Sequence, residues 1–295
     1  MVLYFLVYNL YVYKYIKTII KIWEIMNRKI IELRLESSMD NLEYLYNSKI
    51  INKNIYSILK TMLNCRMESV SKNNTLNEML YNFKNILINE NNNILKKEKA
   101  VIGFSGGIDS TASTVILKNI FNIVGITAYS PIIMNNETKY NINKLIEKLQ
   151  INHKYINVDI GEIENKVKLG HIHPCGRCHS VIENSIVNYS LDNNIKYIIY
   201  GDMLSAGPLS IVKTEQNLIR INILSFLAIT KNESRELLKN NNITISQKYG
   251  CKLLKEAHKF NKNKKFTIQR ILREVRAQVI TEEEGYKNIM EVINL

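Results

Sequence analysis

From residue 99 onward, short apolar runs alternate with amphipathic segments whose apolar residues recur at helical spacing. The apolar runs are rich in Val, Ile and Tyr and predict buried strands. Alternating strands and helices predict an α/β fold, a Rossmann-like parallel sheet with helices on both faces, whose ligands bind at the carboxyl ends of the strands. The four predicted strands are AVIGF (100–104), IVGITAYS (123–130), HKYINVDI (153–160) and IKYIIYGD (195–202).

Glycine and proline divide the chain unevenly, since all 11 glycines and all 3 prolines lie at or after Gly103. A helical region over 26–94 is therefore predicted to precede the α/β domain at 95–245, with a basic helical tail at 246–295. Residues 1–25 are apolar, but lysines follow a run shorter than the roughly 20 residues that span a membrane. We interpret them as an extension outside the fold or an extra apolar helix, with no membrane partner.

The chain is basic, with 40 Lys and Arg against 27 Asp and Glu and a net charge of +13. This balance favours a polyanionic partner such as nucleic acid or a phosphate-rich substrate, although a surface solvated by lysines has the same composition. Four cysteines without a secretory signal indicate a reducing, cytoplasmic compartment. In such a compartment thiols bind metals or do chemistry more often than they form a disulfide scaffold.

The first predicted strand runs directly into FSGGIDSTAS, residues 104–113. Two adjacent glycines allow a tight turn and a close approach to a ligand, and the following helix offers its N-terminal amides to an anion. Asp109 would repel a bare phosphate, which predicts a carboxylate that meets phosphate through Mg²⁺. The spacing matches neither the G-x-x-x-x-G-K-[ST] loop nor the G-x-G-x-x-G loop.

Residues Ser105 to Ser110 resemble the S-G-G-x-D-S signature of the PP-loop ATP pyrophosphatase superfamily at every position. The resemblance implies that ATP, with Mg²⁺, is cut between its α and β phosphates while the loop holds pyrophosphate. The adenylyl group passes to a substrate oxygen, a transfer that depends on positioning and charge neutralisation. It implies catalytic roles for Asp109 and Ser110.

The resemblance also implies where the nucleotide lies. The adenine is expected near the end of the second strand, and YGDMLSAG (200–207) stands at the end of the fourth. The implied ATP- and pyrophosphate-binding residues are Ser105, Gly106, Gly107, Ile108, Asp109, Ser110, Ala128, Tyr129, Gly201 and Asp202.

Two basic residues downstream are weaker candidates for phosphate contacts. Thr230 and Glu233 form a T-x-x-E capping box that predicts a helix start with Lys231 in its first turn. Arg220 lies ten residues before this box. Both cations could reach phosphates, and both could equally be ordinary surface charges.

The stretch HIHPCGRCHS (171–180) contains Cys175 and Cys178, and Cys251 follows much later. On its own the stretch fits a disulfide, a redox pair or a metal site. The layout resembles the PP-loop enzymes that thiolate tRNA through a four-iron four-sulfur cluster, which implies that these three cysteines are ligands and that the open iron carries sulfide. Alternatives are a zinc site with one of His171, His173, His179 and His258, and a catalytic persulfide without metal. Cys65 is predicted to be a buried apolar residue.

The tail segment FTIQRILREVR (266–276) predicts an amphipathic helix. Its arginines could contact RNA phosphates, or they could belong to a solvated basic helix. The predicted packing residues are Ile268, Ile271, Leu272 and Val275, and the predicted RNA-binding residues are Arg270, Arg273 and Arg276.

Together these observations favour an ATP-dependent enzyme that adenylates a nucleobase carbonyl, in tRNA above all, before sulfur transfer from a separate sulfur donor. One alternative is an ammonia-dependent ligase resembling NAD synthetase, which has the same loop. Another is a non-catalytic ATP- or RNA-binding protein with a structural zinc. A homodimer is compatible with each hypothesis.

Overall fold

A six-stranded sheet forms the centre of the computed structural model, which describes residues 26–90, 97–245, 251–277 and 279–294. Its strands are β1 (Lys99–Gly103), β2 (Asn122–Tyr129), β3 (Asn152–Asn157), β4 (Tyr197–Ile199), β5 (Ile211–Lys213) and β6 (Ile219–Ile221). The strand order is β3-β2-β1-β4-β6-β5, and all neighbours are parallel except β5 and β6. The predicted parallel α/β fold is confirmed.

The four predicted strands are present as β1 to β4, but the last two strands of the sheet, β5 and β6, were not predicted. Strands β5 and β6 have three residues each, too few for a period of two to stand out. The prediction ended the sheet with the strand at 195–202, and this was wrong, because Ile219–Ile221 pairs with β4.

Helices precede, cover and follow the sheet. Helix α1 covers residues 26–47. It is followed by α2 (Lys53–Lys72), α3 (Leu76–Glu90), α4 (Ile108–Leu117), α5 (Asn136–Leu149), α6 (Gly161–Lys168), α7 (Pro174–Asp192), α8 (Ile223–Phe226), α9 (Lys231–Asn240), α10 (Lys252–His258), α11 (Asn261–Arg276) and α12 (Glu282–Asn294).

Side chains of the central strand alternate between the two faces of the sheet. Ala100 and Ile102 belong to one buried cluster, whereas Val101 packs with Ile198 and with Ile186 of α7 in another. Successive residues of a strand point to opposite faces. Helices therefore cover both faces of the sheet.

The larger cluster extends beyond the sheet into both flanking regions. It includes Leu59 of α2 and Val292 of α12 together with strand residues. Cys65 is 6% exposed in this cluster, which confirms its predicted burial. The apolar segment 1–25 lies outside the described residues, and none of the described helices is long and apolar enough to cross a membrane.

Candidate active site

The loop that follows β1 has the backbone shape of an anion cradle. Gly106 has φ +69°, and a Cβ there would lie 2.6 Å from Ile142 Cγ1, so no side chain fits. Gly107 is the N-cap of α4 and has no side chain with which to cap the helix. The first amides of a ten-residue helix are therefore available to a phosphate.

Two serine hydroxyls hold the loop in this shape. Ser110 is 5% exposed, and its Oγ lies 3.2 Å from Ser105 Oγ. The Gly107 amide donates to Ser105 Oγ at 3.3 Å, and Ser110 Oγ donates to the Gly107 carbonyl at 3.3 Å. Both predicted serines thus preshape the loop.

Asp109, in the first turn of α4, is paired with Lys231. The Lys231 ammonium lies 2.6 Å and 2.7 Å from the two carboxylate oxygens. Lys231 is the first residue of α9, and the predicted capping box of Thr230 and Glu233 is present. Of the two interpretations of Lys231, the structure favours the one that puts it at the loop.

The end of β4 meets the back of the loop. A Cβ on Gly201 would lie 2.8 Å from the carbonyl carbon of Asp109, so only glycine permits this approach. Asp202 accepts hydrogen bonds from the Leu204 amide at 2.8 Å and from the Ser205 hydroxyl. In the structure Asp202 therefore shapes the turn after β4.

The predicted adenine side of the site lies at the end of β2. Ala128 is buried, and Tyr129 is partly exposed. The Lys139 ammonium lies 4.7 Å from the Tyr129 ring centre and 5.0 Å from that of Tyr155. Tyr129 and Tyr155 thus form a cation-binding aromatic pair that sequence reasoning did not find.

A second contact missed by sequence reasoning ties β2 to the loop. Thr127 Oγ1 donates to the Phe104 carbonyl and lies 2.7 Å from His153 Nε2. Burial lowers the pKa of His153 to about 4, so this imidazole is neutral at physiological pH. Nothing in the local sequence pairs these three residues.

Arg220 contacts α7 and Tyr200. Its guanidinium donates to Glu183 of α7 at 2.7 Å and lies 4.6 Å from the Tyr200 ring centre. Arg220 therefore joins β6 to α7. This contact does not support the prediction that Arg220 binds phosphate.

The three predicted cysteine ligands lie in one neighbourhood. Cys175 and Cys178 occupy the start of α7, and Cys251 is the N-cap of α10. Cys178 is 8% exposed and packs in a cluster with Leu253 and, at its margin, Cys251. Burial raises the pKa of Cys175 and raises that of Cys178 to about 11, and the nearby Cys251 thiol acts in the same direction on both.

These thiols are not arranged as a closed metal site. Within the residues described, no three His, Cys, Asp or Glu side chains form a group that could hold a metal ion. Thr267 Oγ1 lies 3.0 Å from His173 Nε2 and 2.8 Å from His258 Nε2, which engages one ring nitrogen in two of the four histidines of the zinc alternative. Three free thiols suit an iron–sulfur cluster in kind, whereas the zinc alternative finds no group of ligands among the residues described.

A cavity of about 620 Å³ opens beside Cys175. Leu272 was predicted to pack inward, and this was wrong: it is 52% exposed and lines the cavity because Ile271 and Thr267 occupy the buried face of α11. Phe266, also exposed, was not identified from the sequence. The lining residues are His173, Cys175, Gly176, Phe266, Gln269, Arg270, Leu272, Arg273 and Arg276.

Comparisons with known proteins support the interpretation of the loop. The NAD synthase family model matches residues 80–176, which include the whole loop. The uncharacterized protein MJ1638 of Methanocaldococcus jannaschii is 42% identical over 271 residues, covering 92% of this chain and 96% of that protein.

One similar solved structure is the U34-tRNA thiolase NcsA from Methanococcus maripaludis with its 4Fe–4S cluster. It has a TM-score of 0.42 and 14% identity, and the match covers 74% of this chain and 78% of that chain. Together, the parallel sheet, the S-G-G-x-D-S loop and the NAD synthase match place the chain in the PP-loop ATP pyrophosphatase superfamily, and by its sequence identity it belongs to the same family as the Methanocaldococcus protein.

Proposed function

We propose that this PP-loop protein uses ATP to adenylate a carbonyl oxygen of an RNA nucleobase, in tRNA above all. A sulfur nucleophile then replaces the adenylated oxygen. The observation that carries the proposal is the single cavity that Cys175 shares with Arg270, Arg273 and Arg276. Guanidinium groups bind backbone phosphates, and a thiol is suited to sulfur chemistry. A substrate that needs both at once is an RNA that receives sulfur.

The ATP half of the reaction is assigned to the loop. The uncapped amides of α4 receive phosphate oxygens, and Lys231 supplies positive charge beside them. Asp109 supplies carboxylate oxygens to Mg²⁺, which when bound neutralises part of the phosphate charge. Gly201 keeps the loop seated because its backbone lies against Asp109.

The transfer balances without a redox change when sulfide is the nucleophile. The nucleobase oxygen bonds to the α phosphorus and pyrophosphate leaves. Sulfide from a separate donor then bonds to the carbonyl carbon, and AMP leaves with the former oxygen. Cys175 lines the cavity in which this second step would occur, and its role in the proposal is to place the sulfide against the carbonyl carbon. No step is assigned to a metal.

Pyrophosphate release with and without tRNA under anaerobic conditions tests the proposal, with mass analysis of the nucleosides and sulfide as donor. The expected result is release that depends on tRNA and a thiolated nucleoside in the product. Release with tRNA but no sulfur in any nucleoside would contradict the sulfur step and leave adenylation standing.

The match to the NAD synthase family model favours a second candidate, an ammonia-dependent ligase that adenylates a small carboxylic acid. Such an enzyme has no use for the cysteine neighbourhood. Cys175→Ala separates the two: a ligase keeps full turnover with ammonia and its acid, whereas the RNA enzyme loses sulfur incorporation and keeps adenylation.

The metal prediction needs its own measurement, because the described thiols do not form a closed site. Anaerobic purification followed by iron, zinc and sulfide analysis distinguishes a cluster, a zinc site and metal-free thiols. Iron and sulfide that disappear in Cys251→Ala would support the cluster. Zinc would support the structural alternative, and a metal-free protein that still thiolates RNA would support the persulfide alternative.

A further inference from the structure

We propose that Arg66, a residue of the N-terminal helical region, is a positioning residue for the ATP site and sets the location of Lys231 opposite Asp109. The effect of Arg66 on turnover rests on the proposed use of ATP. The effect of Arg66 on the position of Lys231 is independent of ATP use. The loop signature assigns no role to residues 26–90.

Arg66 is an almost fully buried cation, with a side chain only 2% exposed. Its Nε donates to the Leu227 carbonyl at 3.0 Å, and its Nη2 donates to the Ala228 carbonyl at 3.4 Å. The same Nη2 lies 2.7 Å from Glu233 Oε1. Each of these acceptors lies just before α9 or in its first turn, so Arg66 holds the start of α9.

The turn that Arg66 holds is conformationally unusual. Ala228 has φ +48°, in the left-handed region that L side chains rarely adopt. Such a residue persists when its surroundings determine it. The bonds from Arg66 to the Leu227 and Ala228 carbonyls hold this conformation, two residues before the N-cap of α9.

Glu233 links Arg66 to the capping box. While Oε1 faces Arg66, Oε2 accepts from the Thr230 amide at 2.8 Å and from the Thr230 hydroxyl at 3.0 Å. One carboxylate therefore joins the buried guanidinium to the N-cap. Removing the guanidinium would leave the carboxylate free to turn away from Thr230 and loosen the first turn of α9.

Lys231 sits in that first turn, between Thr230 and the rest of α9. Its amide donates to the Val279 carbonyl at 3.0 Å, and its ammonium contacts both Asp109 oxygens. Because both contacts depend on where the first turn of α9 lies, a shift of that turn moves the ammonium relative to one or both Asp109 oxygens. The chain of contacts runs Arg66, Glu233, Thr230, Lys231, Asp109.

A double-mutant cycle distinguishes positioning from simple stabilisation of the fold. Arg66→Lys keeps the charge but cannot reach all three acceptors, and Lys231→Met removes the contact with Asp109. We expect Arg66→Lys alone to lower kcat for pyrophosphate release about tenfold, with a smaller change in the KM for ATP. In the Lys231→Met background the same change should add little, because its target is gone.

Lys60→Met is the matched control. Lys60 lies on the same helix, and its ion pair with Glu43 at 2.7 Å reaches α1 instead of the site. This variant should lose stability without losing kcat. Additive effects of Arg66→Lys and Lys231→Met, or an equal fall of kcat in Lys60→Met, would overturn the proposal.

A second measurement is independent of ATP. Residue-resolved acetylation of the full chain, followed by mass spectrometry, reports how tightly the Lys231 amine is held. We expect the Lys231 rate to rise several-fold in Arg66→Lys and in Glu233→Gln, and to stay unchanged in Lys60→Met. Glu233→Gln covers the case in which Arg66→Lys does not fold.

These readouts separate the two proposals. Absent pyrophosphate release in the wild-type protein would count against the proposed function, while a raised Lys231 rate would still support positioning. An unchanged Lys231 rate in a folded Arg66→Lys protein would overturn the positioning role, whatever the turnover.

Discussion

Lys231 and Asp109 are 122 residues apart in the chain, yet the lysine ammonium contacts both oxygens of the aspartate carboxylate. Asp109 stands in the first turn of the helix whose amides form the cradle. An unpaired carboxylate there would repel a phosphate, and Lys231 offsets this charge. When Mg²⁺ and ATP bind, the ion pair therefore has to separate, so that Asp109 faces the cation and Lys231 faces a phosphate.

Asp109→Asn is expected to abolish pyrophosphate release, because the variant lacks the charged oxygens proposed for Mg²⁺. ATP without Mg²⁺ should bind at least as tightly as in the wild-type protein, since a negative charge is gone and Lys231 is released. Calorimetric titration with and without Mg²⁺, beside a turnover assay, checks both. Asp192→Asn, at the far end of α7, is the control, and undiminished release in Asp109→Asn would refute the assignment.

Gly201→Ala should disturb the loop from behind. The new Cβ would meet backbone atoms of Asp109 and Ser110 at 2.8 Å, which neither a rotamer change nor a flexible side chain can relieve. We expect ATP affinity to fall by about tenfold or more. Gly176→Ala is the matched control, because a Cβ there meets nothing within 4 Å and ATP binding should be retained.

Arg273→Gln tests the basic side of the cavity. If Arg273 contacts an RNA phosphate, its loss should weaken binding of tRNA and reduce the slope of log K against log salt by about 0.7–0.9. Arg28→Gln removes a partly exposed arginine of α1 that pairs with Glu32, and its slope should match the wild-type value. Equal slopes for both variants would show that Arg273 does not touch the backbone.

His153 predicts a pH dependence of stability. Burial lowers its folded-state pKa from 6.5 to about 4, so the unfolded chain binds the extra proton first as the pH falls. The neutral, buried His153 therefore contributes stability above pH 6.5 that is lost between about pH 6.5 and 4. Thermal unfolding of wild type and His153→Gln should converge, or cross, over this interval, and parallel curves would argue against a buried neutral imidazole.

The loop could be predicted from the sequence because its six residues are contiguous and each has a local reason to be there. The pairing of Asp109 with Lys231 could not, since a capping box predicts a helix start but not what that start faces. The helical period of 266–276 predicted an amphipathic helix but assigned Leu272 to its buried face. Periodicity shows where a face lies on a helix, but not how much of that face the neighbouring elements cover. The cysteine spacing brought three thiols into one neighbourhood, while the ligand geometry depends on how α10 docks against α7.

The docking of the tail would determine which part of a bound substrate lies next to Cys175. Asn263 of α11 donates to the Ile172 carbonyl at 3.4 Å, and Thr267 bonds His173, so the arginine helix is fastened to the residues just before Cys175. The position of the arginine helix relative to the Cys175 thiol is therefore fixed by the protein. A bound strand would be held at a set offset from the sulfur, and its geometry would select which nucleotide can reach it.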